Sequence, residues 1–157
     1  MALKLSSPAF TNMGETPRQH SCDGADISPT LVWSEVPAEA GSLVLTMDDP
    51  GAPDPAAAHM TWGALAVLYN LPPSSAGVAE GVATHALPPG ALEGRNDWKR
   101  PGYGGPCPPV GRHRYFHKLY ALDTVLPGLK VPTKAKLEVA MHGHVITHAE
   151  IIGAYQH

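Results

Sequence analysis

The amino-acid sequence predicts a mostly β domain, an antiparallel β-sandwich with a few peripheral helices, and three observations carry that prediction. Short apolar or β-branched runs recur between Asp, Pro and Gly clusters along the whole chain, at the length of buried strands. Only one segment spaces its apolar residues as a helix does. Pro 17 and Gly 16 together make about a fifth of the 157 residues, against a background of roughly 12%, while 43% of the chain is hydrophobic and 16% charged. Such a chain is rich in turns yet apolar enough to fold, which excludes a coiled coil and argues against disorder.

Leu43-Val44-Leu45-Thr46-Met47 and Leu65-Ala66-Val67-Leu68-Tyr69 are short apolar runs closed by turn residues, the pattern of buried strands. Arg114 through Leu122 adds a strand with aromatic residues in alternation. The stretch from about Leu87 to Gly111 is crowded with Gly and Pro and reads as an ordered loop forming a surface wall. Pro132-Thr133 supplies a helix entry, Leu137, Ala140 and Met141 fall at i, i+3 and i+4, and Gly143 can close the C-terminus. His144 through Ile152 is β-branched enough to be a final strand. With no internal repeat or linker, residues 1–157 are expected to form a single domain with one hydrophobic core.

Charge and composition bound the partners. A net charge of −3 provides no basic field for a phosphate backbone, so no nucleic-acid partner is expected. The N-terminus lacks the apolar stretch of a signal peptide and no window reaches the 18 or more apolar residues of a membrane span; a cytoplasmic location is the expectation. Cys22 and Cys107 form no CxxC pair, which argues against a structural disulfide or zinc ribbon.

Three stretches of sequence share a resemblance. Leu45-Thr46-Met47-Asp48-Asp49-Pro50-Gly51-Ala52-Pro53 resembles the Asp-Pro-Asp-x-Pro signature of phosphatidylethanolamine-binding proteins, also called Raf kinase inhibitor-like proteins. Gly105-Pro106-Cys107-Pro108-Pro109 followed by Gly111-Arg112-His113-Arg114-Tyr115 resembles that family's second signature, Gly-Pro-x-Pro-Pro then Gly-x-His-Arg-Tyr. Cys22-Asp23-Gly24 with Ile27-Ser28-Pro29 and Trp33, and Gly143-His144 through Gly153-Ala154-Tyr155, look like its bacterial branch. The resemblance implies a phosphatidylethanolamine-binding-protein-like sandwich with a small surface cavity for phosphate-like anions or phospholipid headgroups. Carried over residue by residue, it implies ligand-binding positions at Asp49, Trp62, Gly105, Pro106, His113 and Tyr115, and it also suggests a homodimer. Imidazole and hydroxyl donors with backbone N–H groups can satisfy an anion's oxygens, and no cofactor is needed.

The departures concentrate in the implied pocket. Gly51 stands where the first signature has its second acid. Gly63, Ala64, Leu65 and Ala66 follow Trp62 where the family has a histidine and an aromatic ring, in a strand that reads one residue longer. The anion site is therefore expected to be larger, more apolar and weaker. Clustered loss of side chains on a preserved frame reads as a remodelled, engineered scaffold, with a diverged natural paralogue as the competing account.

Other chemistries fit some of the same residues. Cys107, in the loop that the resemblance puts at the cavity edge, could act with His113 as the nucleophile and base of a hydrolase of activated esters, a catalytic alternative to binding. Modulation of a protein partner through the same loops is a second alternative. His144 and His148 could chelate a metal only on a helix; as strand residues four apart they lie about 13 Å from each other, and no metal site is expected. Asp48 and Asp49, adjacent on a strand, alternate faces and form no acid–base dyad unless the backbone turns. Arg114 is expected to make a salt bridge or carbonyl contacts beneath the loop. The leading expectation is small-molecule or anion binding around Asp49, Trp62, His113 and Tyr115.

Overall fold

A computed structural model describes residues 3–20, 24, 29–49, 62–78, 91–93, 112–127 and 134–156. They form β1 (Lys4–Ser6), β2 (Gly14–Glu15), a short 3-10 turn (Arg18–His20), β3 (Leu31–Ser34), β4 (Ser42–Asp49), β5 (Trp62–Leu71), β6 (Gly77–Val78), β7 (Leu92–Glu93), β8 (Arg112–Leu122), α1 (Lys134–Met141) and β9 (Val145–Gln156). The strands make a three-stranded sheet, β1-β3-β6, and a six-stranded sheet, β2-β9-β8-β4-β5-β7. The expected mostly β, antiparallel architecture is what the chain adopts. Its one parallel pairing among the described strands joins β2 to β9, with Gly14 opposite Gly153 and Glu15 opposite Ala154. No helix among the described residues is long and apolar enough to cross a membrane.

The uninterrupted apolar run in β4 has a direct physical reason. Leu43 and Leu45 face the small sheet, joining Leu3, Phe10, Leu31, Trp33, Leu68, Leu71, Val78, Leu119, Ala121 and Ile151 in the main core. Val44 faces the other way, into a second cluster with Tyr69, Leu122, Leu126, Leu137 and Met141, the last two from α1. A strand covered on both faces needs apolar residues at every position, not at alternate ones. On α1, Leu137 and Met141 lie one turn apart and bury, while Val139 between them is 77% exposed. Gly143, at φ +82°, reverses the chain so that the His144 N–H donates to the Met141 carbonyl at 2.9 Å. The helix and its closure fall where the sequence puts them.

Two features of the large sheet are absent from the sequence reading. Within the Gly- and Pro-rich stretch expected to be loop, β7 pairs Leu92 with Tyr69 and Glu93 with Leu68; an open sheet edge at β5 offers backbone groups that a short extended segment can satisfy whatever its composition. Register is also uneven. Leu43 pairs with Leu71 but Leu45 with Leu68, so β5 carries one extra residue. Asn70, at φ +57°, takes up that bulge in the left-handed conformation that Asn tolerates better than most residues. Its side chain bonds at both ends: the Asn70 amide donates to the Leu126 carbonyl at 2.7 Å and its oxygen accepts from the Leu126 N–H at 2.8 Å.

Gly153 is required by close packing. A Cβ there would meet Phe10 Cε2 at 2.9 Å and, closer still, Thr16 Oγ1. Phe10, Thr16 and the Met13 N–H, which donates to the Ile152 carbonyl at 2.7 Å, thereby bind the N-terminal segment to β9.

Two stability measurements test these assignments. Asn70→Ala removes both hydrogen bonds to Leu126 and is expected to lower unfolding free energy by about 2 kcal/mol in denaturant melts; an unchanged midpoint would mean that the bulge does not depend on the amide. Gly153→Ala should cost about 1–3 kcal/mol by overpacking against Phe10 and Thr16, visible as a lower melting temperature.

Candidate functional site

Strand order brings the positions singled out in the sequence to one end of the large sheet. β4 ends, and β5 and β8 begin, at that end, because β4 runs antiparallel to both neighbours. Asp49 pairs with Trp62 across β4 and β5, and Met47 with Ala66. Asp48 pairs with Phe116 on the other side of β4, so Tyr115 comes level with Asp49 and His113 continues β8 past the end of β4. Cross-strand partners share a face, as do residues two apart on one strand. By register, positions 47, 49, 62 and 66 therefore belong to one face of the sheet, the face of Leu45 and Leu68. Trp62 and Ala66 are four positions apart on β5, whereas Asp49 and Met47 are two apart on β4. The irregularity gives β5 two more residues than β4 between these pairs.

β9 completes this end. His113 pairs with Tyr155 and Tyr115 with Gly153. Met47, Tyr115 and Tyr155 form a buried cluster of their own, separate from the two cores, with exposures of 2%, 2% and 6%. His117 pairs with Met47, is buried on the same face, and its ring centroid lies 5.5 Å from that of Phe10. The sequence reading does not single out Met47, Tyr155, His117 or Phe10 as site residues. Period-two alternation backward from Asp49 and forward from His113 would have found Met47 and His117; Phe10 and Tyr155 arrive from distant parts of the chain, and although Tyr155 closes a stretch that resembles the family, nothing local puts either residue at this sheet end.

Consecutive positions on an extended strand put positions 48 and 49 on opposite faces. His148 belongs to β9, opposite Tyr120, with ring centroids 5.9 Å apart, and His144 precedes the strand in a turn where its Nδ1 lies 2.8 Å from Asp123 Oδ1. Strand geometry separates these histidines, and no cluster of three or more His, Cys, Asp or Glu among the described residues is arranged to hold a metal. The loop beneath which Arg114 is expected lies outside the described residues. Alternation along β8 turns Arg114 outward, exposed, with its guanidinium 5.6 Å from the Phe116 ring centroid. Cys22, Gly51, Gly105, Pro106 and Cys107 lie outside the described residues.

Comparison with known proteins is consistent along the whole chain. The phosphatidylethanolamine-binding protein family matches residues 6–156. A UPF0098 protein of Methanothermobacter thermautotrophicus is 46% identical over 155 residues, covering 98% of this chain and 99% of its own. One from Chlamydia trachomatis is 40% identical over 154 residues, with 98% and 99% covered. Among solved structures, a phosphatidylethanolamine-binding protein homologue from Chlamydia trachomatis aligns with a TM-score of 0.90 at 40% identity over 99% of this chain and 98% of that one. Escherichia coli YbcL, described as a new member of the mammalian phosphatidylethanolamine-binding protein family, aligns at 0.89 and 27% identity over 100% and 99%. With both its sequence and its fold matched end to end, the chain belongs to the phosphatidylethanolamine-binding protein family.

Proposed function

We propose that the protein binds a small anionic ligand, of the phosphate or phosphoethanolamine class, at the end of the large sheet where Asp49, Trp62, His113 and Tyr115 meet. The register that sets Asp49 opposite Trp62 beside the start of β8 carries this reading. It brings positions 49, 62, 113 and 115 of three strands to one end of the sheet, and an acid, an indole, an imidazole and a phenol are the residue types that an anion with a protonated or amine-bearing partner requires.

The site is weaker than a full complement of side chains would make it. Gly51 supplies no second acid, and Ala66, at a register position on the face of Asp49, supplies no imidazole. We attribute this to remodelling of the pocket on an intact frame; the main core and the second cluster beneath α1 hold apolar side chains at every position of β4 from Leu43 to Leu45.

Titration of inorganic phosphate and of phosphoethanolamine, followed by tryptophan fluorescence, tests the reading. The chain should bind only in the millimolar range, and Gly51→Asp combined with Ala66→His should tighten binding about tenfold, the effect of roughly one charge-assisted hydrogen bond. A response unaffected by His113→Ala, or no response in either protein, would remove the anion site from consideration.

A further inference from the structure

Beyond the residues carried over from the signatures, we infer that Tyr155 is a positioning residue of this site, holding His113 and Tyr115 in place from the adjacent strand; the inference rests on the anion-binding reading. β9 reaches the site only through its last residues. Tyr155 stands directly opposite His113, and Gly153 opposite Tyr115. The Ile152 and Ala154 carbonyls accept from the Met13 and Thr16 N–H groups on the far side of β9. In an extended strand the backbone groups of Gly153 and Tyr155 then point to β8, so His113 and Tyr155 form a hydrogen-bonded pair with Cα atoms about 5.5 Å apart. Neighbours at that spacing restrict one another's rotamers.

Glycine opposite Tyr115 makes Tyr155 the more important neighbour. With no side chain at Gly153, and Phe10 and Thr16 closing over it, β9 meets Tyr115 through the diagonal residue, Tyr155. The two tyrosines and Met47 make one buried cluster. Tyr155 is buried and neighbours both residues that would donate to an anion. A binding group is effective only when its own rotamer is fixed by packing. The aromatic ring at position 155 supplies that packing to β8.

The test uses the full chain with Tyr155→Phe and Tyr155→Leu, two readouts and inorganic phosphate as the probe. The first readout is the imidazole resonances of His113 in the ligand-free protein, and the second is phosphate affinity. Tyr155→Phe keeps the ring and should match the wild type within about twofold, whereas Tyr155→Leu should weaken phosphate about tenfold, the usual scale for losing a supporting residue, and shift or broaden the His113 resonances while most amide resonances stay in place. Should Tyr155→Leu unfold the domain, Tyr155→Met fills the space more flexibly and carries the same comparison. Unchanged His113 resonances and affinity in the leucine variant would overturn the inference, as would a loss in Tyr155→Phe equal to that in Tyr155→Leu. If the wild type fails to bind phosphate, the anion reading falls, and the His113 resonances still decide whether Tyr155 positions that residue.

Discussion

The arrangement depends on the burial of β4 from both sides. From Leu43 to Met47 no residue is more than 5% exposed, so this backbone cannot reach water and both of its edges must be hydrogen-bonded by neighbours. β5 and β8 meet that demand, in registers fixed by which side chains fit between the sheets and which fit beneath α1. A slip of one residue would exchange the two faces of the strand and break both clusters at once. The same constraint delivers Asp49 to the sheet end beside Trp62, and β8 carries His113 and Tyr115 alongside.

The frame absorbs irregularity at defined places. Asn70 takes one extra residue of β5 into a bulge and uses its amide to hold Leu126, the residue that leads from β8 into the second cluster. A second irregularity lies between the Met47–Ala66 and Asp49–Trp62 pairs, at the sheet end where the site is proposed. Bulges re-aim a strand without disturbing the pairing beyond them. The core side of β5, with Leu68 and Leu71 in the main cluster, is thereby insulated from changes at its other end.

Distant parts of the chain meet at the same place. The N-terminal segment clamps β9 through Met13 and Thr16, and Phe10 fills the space left by Gly153. Tyr155, near the end of β9, packs with Met47 and Tyr115. Residues 47–49 and 112–115 are thus joined at this sheet end by segments remote in the sequence.

Much of this was legible in the sequence. The runs at Leu43–Met47 and Leu65–Tyr69, the alternation from Arg114 to Leu122 and the Leu137, Ala140, Met141 spacing identify β4, β5, β8 and α1 because burial on one or both faces leaves a period in the residues themselves. Asp49, Trp62, His113 and Tyr115 could be singled out because they sit in or beside short motifs. The strand β7, the outward turn of Arg114, the bulge at Asn70 and the roles of Phe10, Met47 and Tyr155 were decided by tertiary structure. Each depends on what lies across a strand pair, and a linear sequence records the chemistry of a residue but not the identity of the neighbour that packs against it.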